Sequence, residues 1–172
     1  MMKPGRLFCA YWLFGLIPPT RGFLIKRALL RWCGATIGSN VRIVSSARFQ
    51  MTGRLVVGDD TWIGHEVLVI GGDADVNIGV KVDIGPRTTI VTGSHELLAA
   101  SGRAAGYGFS SPVTIHDGVW LGAASTILGG VTVGRCSMVA AGALVNCDVS
   151  PSAVVGGVPA RVLRSLSGAA ET

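Results

Sequence analysis

The stretch that decides the fold is "TIHDGVWLGAASTILGGVTVGRCSMVAAGALV", from Thr114 to Val145, because its aliphatic residues recur at every sixth position. The repeated residues are Ile115, Leu121, Ile127, Val133, Val139 and Val145. A period of six fits neither the turn of an α-helix nor the simple alternation of a long strand. Short strands joined by tight corners do fit it, with three strands closing one triangular coil and identical positions stacking from coil to coil.

The same period extends back to Ile37, and its interruptions fall at one place in each coil. The earlier repeated residues are Ile37, Ile43, Phe49, Val57, Ile63, Val69, Ile78, Ile84 and Ile90. Extra residues follow Phe49, Val69 and Ile90, which are the third faces of successive coils, and the largest insertion precedes Ile115. Insertions confined to one edge of a repeat usually mark its working edge. Gly often follows the aliphatic residue directly, and we expect it to permit the tight corner.

These patterns predict an all-β protein, a parallel β-helix of about five triangular coils. The coils begin near residues 37, 57, 78, 115 and 133. We place the β-helix at residues 36–158, with one projecting loop at residues 95–112. Residues 1–35 form a separate N-terminal cap in this scheme, and residues 159–172 form the C-terminal part.

The cap is both basic and apolar. Residues 1–58 contain nine of the 15 Lys and Arg residues and none of the ten Asp and Glu residues. The run "LFCAYWLFGLI" predicts a short helix that ends before Pro18, and "RGFLIKRALLRWCG" predicts a basic amphipathic helix that ends at Gly34. Eleven apolar residues are too few for a transmembrane helix, which needs roughly 20. No signal-peptide cleavage site follows them.

The charge asymmetry indicates an anionic partner for the cap. No nucleic-acid-binding motif is present, and an anionic membrane surface fits the apolar run better. We therefore expect a cytoplasmic protein, peripheral on the inner membrane through residues 1–31. A contact with the protein's own surface or with another subunit, and a merely solvated basic face, remain open alternatives.

The cysteines argue against a disulfide framework. Cys9, Cys33, Cys136 and Cys147 form no CxxC pair. A zinc knuckle is therefore not expected, and reduced, mostly buried thiols fit the pattern better.

Three motifs resemble those of a known family. "VTGSHE" opens the large insertion, "VTIHDGVWLG" resumes the coil, and "GGVPARVL" follows the last coil. Over Ile37 to Arg164 the chain resembles the hexapeptide-repeat acyltransferases, in particular the sugar O-acetyltransferases of the maltose, galactoside and exopolysaccharide (colanic-acid) type. The resemblance implies a left-handed β-helix, an exception to the right-handed crossover rule. It also implies a homotrimer that binds acetyl-CoA between adjacent prisms, and a C-terminal helix within residues 159–172.

The resemblance assigns the catalytic role to His95. Transfer of an acetyl group to a sugar hydroxyl requires removal of the hydroxyl proton, and imidazole can take a proton near neutral pH. Either Glu96 or Glu66 could orient the ring. His65 and Glu66 match a region that binds the acceptor in the family. His116 follows an aliphatic residue directly, so we expect it at an outer corner without a functional role.

The resemblance also supplies candidate donor-binding residues, which are Trp120, Ala123, Ala141, Arg161 and Arg164. Trp120 lies near the reacting end of the donor in the family, although a packing role remains an alternative. Ala123 and Ala141 match positions whose backbone binds the pantetheine arm, and small side chains suit a narrow groove. Arg161 and Arg164 match residues that contact phosphates, which guanidinium groups bind in bidentate fashion. Cys147 departs from the family pattern, because a basic residue is common there.

The predicted function is transfer of an acetyl group from acetyl-CoA to a hydroxyl of a sugar or a lipid-linked oligosaccharide, in exopolysaccharide or lipopolysaccharide biosynthesis. No metal is expected. One alternative is a γ-type carbonic anhydrase-like zinc enzyme, which would need three histidine ligands, and the chain has His65, His95 and His116. The H-x4-H pair of that family is absent. The other alternative is a non-catalytic β-helix scaffold.

Overall fold

The computed structural model describes residues 1–98 and 102–166. Helix α1 spans Pro4–Gly15 and α2 spans Phe23–Trp32. Pro4 stands at the start of α1, where the missing N–H has no intrahelical partner to lose. These two helices occupy the segment for which the sequence predicts two short helices.

Nineteen short strands, joined by turns, form the framework of the rest of the described chain. The first nine are β1 Thr36–Ile37, β2 Arg42–Ile43, β3 Arg48–Gln50, β4 Leu55–Val57, β5 Trp62–Ile63, β6 Leu68–Ile70, β7 Val76–Ile78, β8 Asp83–Ile84 and β9 Thr89–Val91. The others are β10 Gly93–Leu97, β11 Ala105–Ser110, β12 Val113–Ile115, β13 Trp120–Leu121, β14 Thr126–Leu128, β15 Thr132–Val133, β16 Met138–Val139, β17 Leu144–Val145, β18 Ala153–Gly156 and β19 Arg161–Ser165.

Successive strands belong to successive faces of a prism. Face A contains, in order, β1, β4, β7, β12 and β15, and face C contains β3, β6, β9, β14 and β17. Face B contains β2, β5, β8, β13, β16, β18 and β19. All three insertions predicted from the sequence lie at the C–A corner, between β3 and β4, β6 and β7, and β9 and β12. The largest is an antiparallel hairpin of β10 and β11, so the predicted loop is a hairpin in its described part.

The repeated aliphatic positions fill the interior of the prism. On face B, Ile63, Ile84, Leu121 and Val139 pair in register and are fully buried. Burying one such large aliphatic side chain stabilises the fold by roughly 1.5–3 kcal/mol. The alternation of inward aliphatic and outward variable residues leaves the outer face of each strand free for function.

The sequence predicts that Gly permits each tight corner through its backbone freedom, but the structure forms the corners in another way. The left-handed backbone falls two residues after the expected Gly, with φ of 54° at Lys81 and 56° at Ala124. The Gly itself is needed because the next coil stacks closely on it. A Cβ on Gly122 would lie 2.6 Å from the backbone N of Ala141, so no larger residue fits without a shift.

Backbone hydrogen bonds link neighbouring coils in both directions. Gly38 N donates to Val57 O of the next coil at 2.8 Å, and Asp60 N donates back to Ser39 O at 3.0 Å. The first coil has no coil before it, so the backbone groups on that side, carbonyls among them, face the N-terminal cap. Carbonyl groups without donors would be costly there, because most buried backbone groups must be paired.

Cationic and phenolic side chains of the cap satisfy these carbonyls. The bonds are Lys26 Nζ to Ile43 O (3.0 Å), Arg27 Nη1 to Val41 O (3.0 Å), Arg31 Nη2 to Ile37 O (2.6 Å) and Tyr11 OH to Phe49 O (3.0 Å). Lys and Arg side chains carry donors and no acceptor, which suits them to this edge. At the other end the carboxylate of Asp148 accepts a bond from Thr132 N at 2.7 Å. The carbonyls at this open edge therefore account for three basic residues of the N-terminal region, Lys26, Arg27 and Arg31.

Two expectations are wrong. The predicted C-terminal helix is not formed by Arg161–Ser165, which is the strand β19, antiparallel to β18. The physical reason is that β18 offers an unpaired edge and the turn at residues 157–160 brings the chain back onto it. Residues 167–172 lie outside the described ranges. Mostly buried thiols were also expected, but only Cys33 of the four free cysteines is buried.

Candidate functional site

His95 lies on the hairpin that projects from the C–A corner. It belongs to β10, is exposed, and pairs in register with Gly108 of β11. Its Nδ1 is 3.0 Å from the backbone carbonyl oxygen of Gly106. Because a carbonyl can only accept, Nδ1 carries the proton, and the neutral ring presents an unprotonated Nε2. That nitrogen is suited to accept a proton from a hydroxyl group.

The glycines of β11 make room for this ring. A Cβ on Gly108 would lie 3.7 Å from His95 Cε1 and 3.8 Å from Nδ1, so the imidazole lies across Gly108 at van der Waals distance. The sequence offered Glu96 or Glu66 as the group that orients His95. The partner of Nδ1 is instead the Gly106 carbonyl, which no side-chain pattern could reveal.

The candidate donor residues lie on face B and at its corner with face C. Trp120 is 54% exposed and stands in register between Asp83 of β8 and Met138 of β16. Ala123 and Ala141 follow β13 and β16 and are exposed at the B–C corner, in adjacent coils. The close stacking of Gly122 on Ala141 keeps this corner narrow.

Arg161 and Arg164 lie on β19, which extends face B beyond β18 at the end far from the cap. Both side chains are exposed. Arg161 Nη1 donates to its neighbouring carbonyl, Ala160 O, at 2.8 Å. A small cleft of about 120 Å³ lies beside Arg161 and is also lined by Cys147 and Asp148. Cys147, the residue that departs from the family pattern, therefore lines the same cleft as Arg161.

The two candidate acceptor residues, His65 and Glu66, also lie at the B–C corner, in the second coil. His65 Nδ1 is 3.5 Å from Ser46 Oγ, and Glu66 Oε2 accepts from Arg87 Nε at 2.7 Å. The ion pair is largely exposed, and pairs of this kind contribute about 0–1 kcal/mol. Glu66 is thus engaged with Arg87 and not with His95.

The three histidines lie at three different corners of the prism. His116 directly follows β12 at the A–B corner and is exposed, as the sequence predicts, while His65 lies at B–C and His95 at C–A. One chain does not bring them together. Among residues 1–98 and 102–166, no group of three His, Cys, Asp or Glu side chains could hold a metal ion.

The donor candidates and the catalytic candidate likewise lie apart within one chain. Trp120 and the two arginines lie on face B, and Ala123 and Ala141 lie at the B–C corner. The His95 hairpin projects from the C–A corner.

One further residue was not identified from the sequence. Asp83 is exposed on face B, in register between Trp62 and Trp120. Asp83, Trp62 and Trp120 each directly precede a repeated aliphatic residue. This shared position could have identified Asp83 from the sequence.

The chain resembles known proteins throughout its length. The family description "Bacterial transferase hexapeptide (six repeats)" matches residues 112–147. A galactoside O-acetyltransferase of Escherichia coli (strain K12) is 33% identical over 146 residues, which cover 83% of this chain and 69% of that protein. A galactoside O-acetyltransferase of Lactococcus lactis subsp. lactis (strain IL1403) is 35% identical over 100 residues, covering 58% of this chain and 48% of that protein.

A solved structure is similar in fold as well as in sequence. It is a hexapeptide-repeat-containing acetyltransferase of Vibrio cholerae O1 biovar eltor, complexed with acetyl-CoA. The TM-score is 0.70 at 32% identity, over 95% of this chain and 88% of that one. The chain belongs to the hexapeptide-repeat acetyltransferase family.

Within the described ranges, no helix has both the length and the apolar character needed to cross a bilayer.

Proposed function

We propose that this protein transfers an acetyl group from acetyl-CoA to a hydroxyl group of a sugar, with His95 as the general base. Family membership makes it an acetyl-CoA-dependent acetyltransferase. The assignment of His95, the sugar acceptor and the arrangement of the site form the proposal. In the reaction, His95 Nε2 takes the proton of the attacking hydroxyl as its oxygen bonds to the thioester carbon, and the thiolate of CoA leaves.

The observation that carries the proposal is the bond from His95 Nδ1 to the Gly106 carbonyl. It holds the proton on Nδ1 and leaves Nε2 able to accept another, which is the tautomer that a general base requires. A positioned base of this type contributes about 10²–10⁴-fold to the rate. The hairpin presents the ring in solvent, away from its own prism, where a substrate bound to a neighbouring subunit could meet it.

For the donor, we propose that acetyl-CoA lies along the B–C corner. The backbone N–H groups of Ala123 and Ala141 would bind the pantetheine arm, Trp120 would contact its reacting end, and Arg161 and Arg164 would bind the phosphates. The exposure of all five residues and their placement along one edge support this. The relative complexed with acetyl-CoA supports the choice of donor, because it matches 95% of this chain.

Because the two halves of the site lie on different sides of one prism, we propose that it is completed between subunits of a homotrimer. The His95 hairpin of one subunit would then face the B–C corner of the next. Left-handed winding of about five coils belongs to the same proposal. A surface that binds a different surface of the next copy forms a closed ring when the rotation between copies closes, and the ring proposed here has three members.

For the acceptor, we propose a sugar in exopolysaccharide or lipopolysaccharide biosynthesis, bound near His65 and Glu66. The names of the two galactoside O-acetyltransferase relatives support a sugar. Asp83 on face B supports it as well, because an exposed carboxylate beside the Trp120 indole offers both hydrogen bonds and a stacking surface for a pyranose ring.

The donor half can be tested without knowing the acceptor. Calorimetric titration of the purified protein with acetyl-CoA should give one site per chain. Arg161→Ala should weaken binding by about tenfold, since hydrogen bonds to charged groups contribute about 1.5–3 kcal/mol each. Arg135→Ala is the matched control, because Arg135 is exposed but pairs with Asp117 at the A–B corner. Absence of binding by the wild type, or equal loss in both variants, would refute the proposed donor groove.

A further inference from the structure

The outer face of α1 and the residue that follows it carry a row of large apolar side chains that nothing in residues 1–98 and 102–166 covers. Phe8 and Trp12 of α1 and Leu16, which caps the helix, are 66%, 71% and 82% exposed and follow one another at intervals of four residues. The opposite face of α1 packs on the prism through Leu7, Ala10 and Phe14, which are buried. Because one face of α1 is well packed, the exposure of the apolar row on its other face is not caused by loose packing of the helix.

Other large apolar side chains of the cap are also exposed. Met1 is 71% exposed, and Leu24 and Ile25 of α2 are 75% and 56% exposed. Between α1 and face C runs a groove of about 350 Å³, lined mainly by apolar groups that include Phe8, Tyr11 and Met51. The row and the groove meet at Phe8, and exposed apolar surface of this kind marks a site of protein or membrane contact.

The charge of the cap identifies the partner. The cap, residues 1–35, holds six cations and no carboxylate. Lys26, Arg27 and Arg31 bond to backbone carbonyls, which pairs their donors but leaves their charges unneutralised. Lys3 and Arg21 are exposed to solvent. A second copy docked through the same face would bring two cation-rich ends together, which is unfavourable, whereas the negative surface potential of an anionic bilayer would attract this end.

We propose that the N-terminal cap docks the protein on an anionic lipid bilayer, with Phe8, Trp12 and Leu16 inserted at the level of the headgroups. Aromatic and Leu side chains are the groups that enter this layer, and the surrounding Lys and Arg side chains contact lipid phosphates. The protein lies on the membrane and does not span it.

This orientation has a consequence that rests on the proposed function. His65 and Glu66 lie in the second coil, close to the cap, whereas Arg161 and Arg164 lie on β19 at the far end of face B. A bilayer at the cap would therefore be close to the acceptor residues and far from the CoA phosphates. A lipid-linked acceptor would arrive from the membrane and the donor from solution.

The test is sedimentation of the full-length protein with vesicles of phosphatidylglycerol and phosphatidylethanolamine, beside vesicles of phosphatidylcholine alone. The wild type should sediment with the anionic vesicles only, and less at about 1 M salt than at about 0.1 M, because screening shortens the electrostatic range from about 10 Å to about 3 Å. Phe8→Ser/Trp12→Ser should reduce partitioning by about tenfold or more, since each side chain loses a large part of its apolar transfer energy.

The matched control is Phe8→Leu/Trp12→Leu, which keeps apolar side chains at both positions and should retain most of the binding. Light scattering on each variant reports the oligomeric state. Equal sedimentation with neutral and anionic vesicles, or unchanged binding of the serine variant, overturns the proposal. A serine variant with altered oligomeric mass, together with no vesicle binding by the wild type, would show that the row is a subunit contact. Neither result depends on acetyl-transfer activity, so failure here is distinguishable from failure of the proposed function.

Discussion

Replacing Lys26 by Met should destabilise the fold, because Lys26 closes the carbonyl edge of the first coil. The residue is fully buried, and its Nζ lies 2.6 Å from Pro19 O, 3.0 Å from Ile43 O and 3.4 Å from Pro18 O. Methionine fills a similar volume but donates nothing. The carbonyl of Ile43, a residue with no exposed surface, then loses its cap donor.

The expected cost can be worked out from these contacts. An unsatisfied buried carbonyl costs about 1–3 kcal/mol, and the lost bonds come from a charged donor, which makes them stronger than average. Burial lowers the pKa of Lys26, so removal of the ammonium group recovers part of its desolvation cost. The net loss should be about 2–3 kcal/mol. For a chain of this size that corresponds to a fall in Tm of roughly 4–12 °C.

The assay is thermal and urea unfolding followed by circular dichroism, with all proteins at the same concentration because assembly would couple to stability. Lys3→Met is the control, since Lys3 is exposed and should change stability by less than about 0.5 kcal/mol. If Lys26→Met is as stable as Lys3→Met, the cap cations do not serve the carbonyl edge, and the structural explanation of the charge asymmetry fails.

Three further predictions concern single side chains. Burial raises the pKa of Tyr11 from 10.0 to about 12, so the folded protein should lose about 2 kcal/mol of stability, relative to Tyr11→Phe, as the pH rises from 10 to 12. A difference in unfolding free energy between wild type and Tyr11→Phe that stays constant from pH 10 to pH 12 would contradict this. Thr92 has a buried hydroxyl with no partner among the described residues, so Thr92→Val should raise stability by about 1 kcal/mol in urea unfolding, and a loss would show that the hydroxyl is satisfied. Gly108→Leu should displace the His95 ring and lower kcat by about tenfold or more without weakening acetyl-CoA binding, whereas Gly108→Ala, whose Cβ fits at 3.7 Å, should keep kcat within a few-fold.

The coil could be predicted from the sequence because one residue in six is constrained by the interior. Ile115, Leu121 and Ile127 fall on faces A, B and C as the period requires, and the insertions fall at one corner. The functional candidates on face B came from the family resemblance and not from the period.

Other features depend on contacts that a period cannot encode. The Gly106 carbonyl acts through its backbone, so no residue type marks it as the partner of His95. The strand β19 forms because β18 leaves an open edge, which the expectation of a helix overlooked. The role of Lys26 depends on which carbonyls the first coil leaves without a backbone donor, and this becomes visible only once the coils are stacked.

The catalytic assignment of His95 is tested most directly by the rate of CoA release from acetyl-CoA. This rate is measured for wild type and His95→Ala, with a panel of simple galactosides and maltose as acceptors. Acetyl-CoA affinity is measured by calorimetry on the same samples. If His95 is the general base, His95→Ala lowers kcat by about 10²–10⁴-fold while acetyl-CoA binds as tightly as to the wild type. A variant that retains the wild-type kcat with an acceptor that the wild type acetylates would contradict the assignment of His95 as the general base.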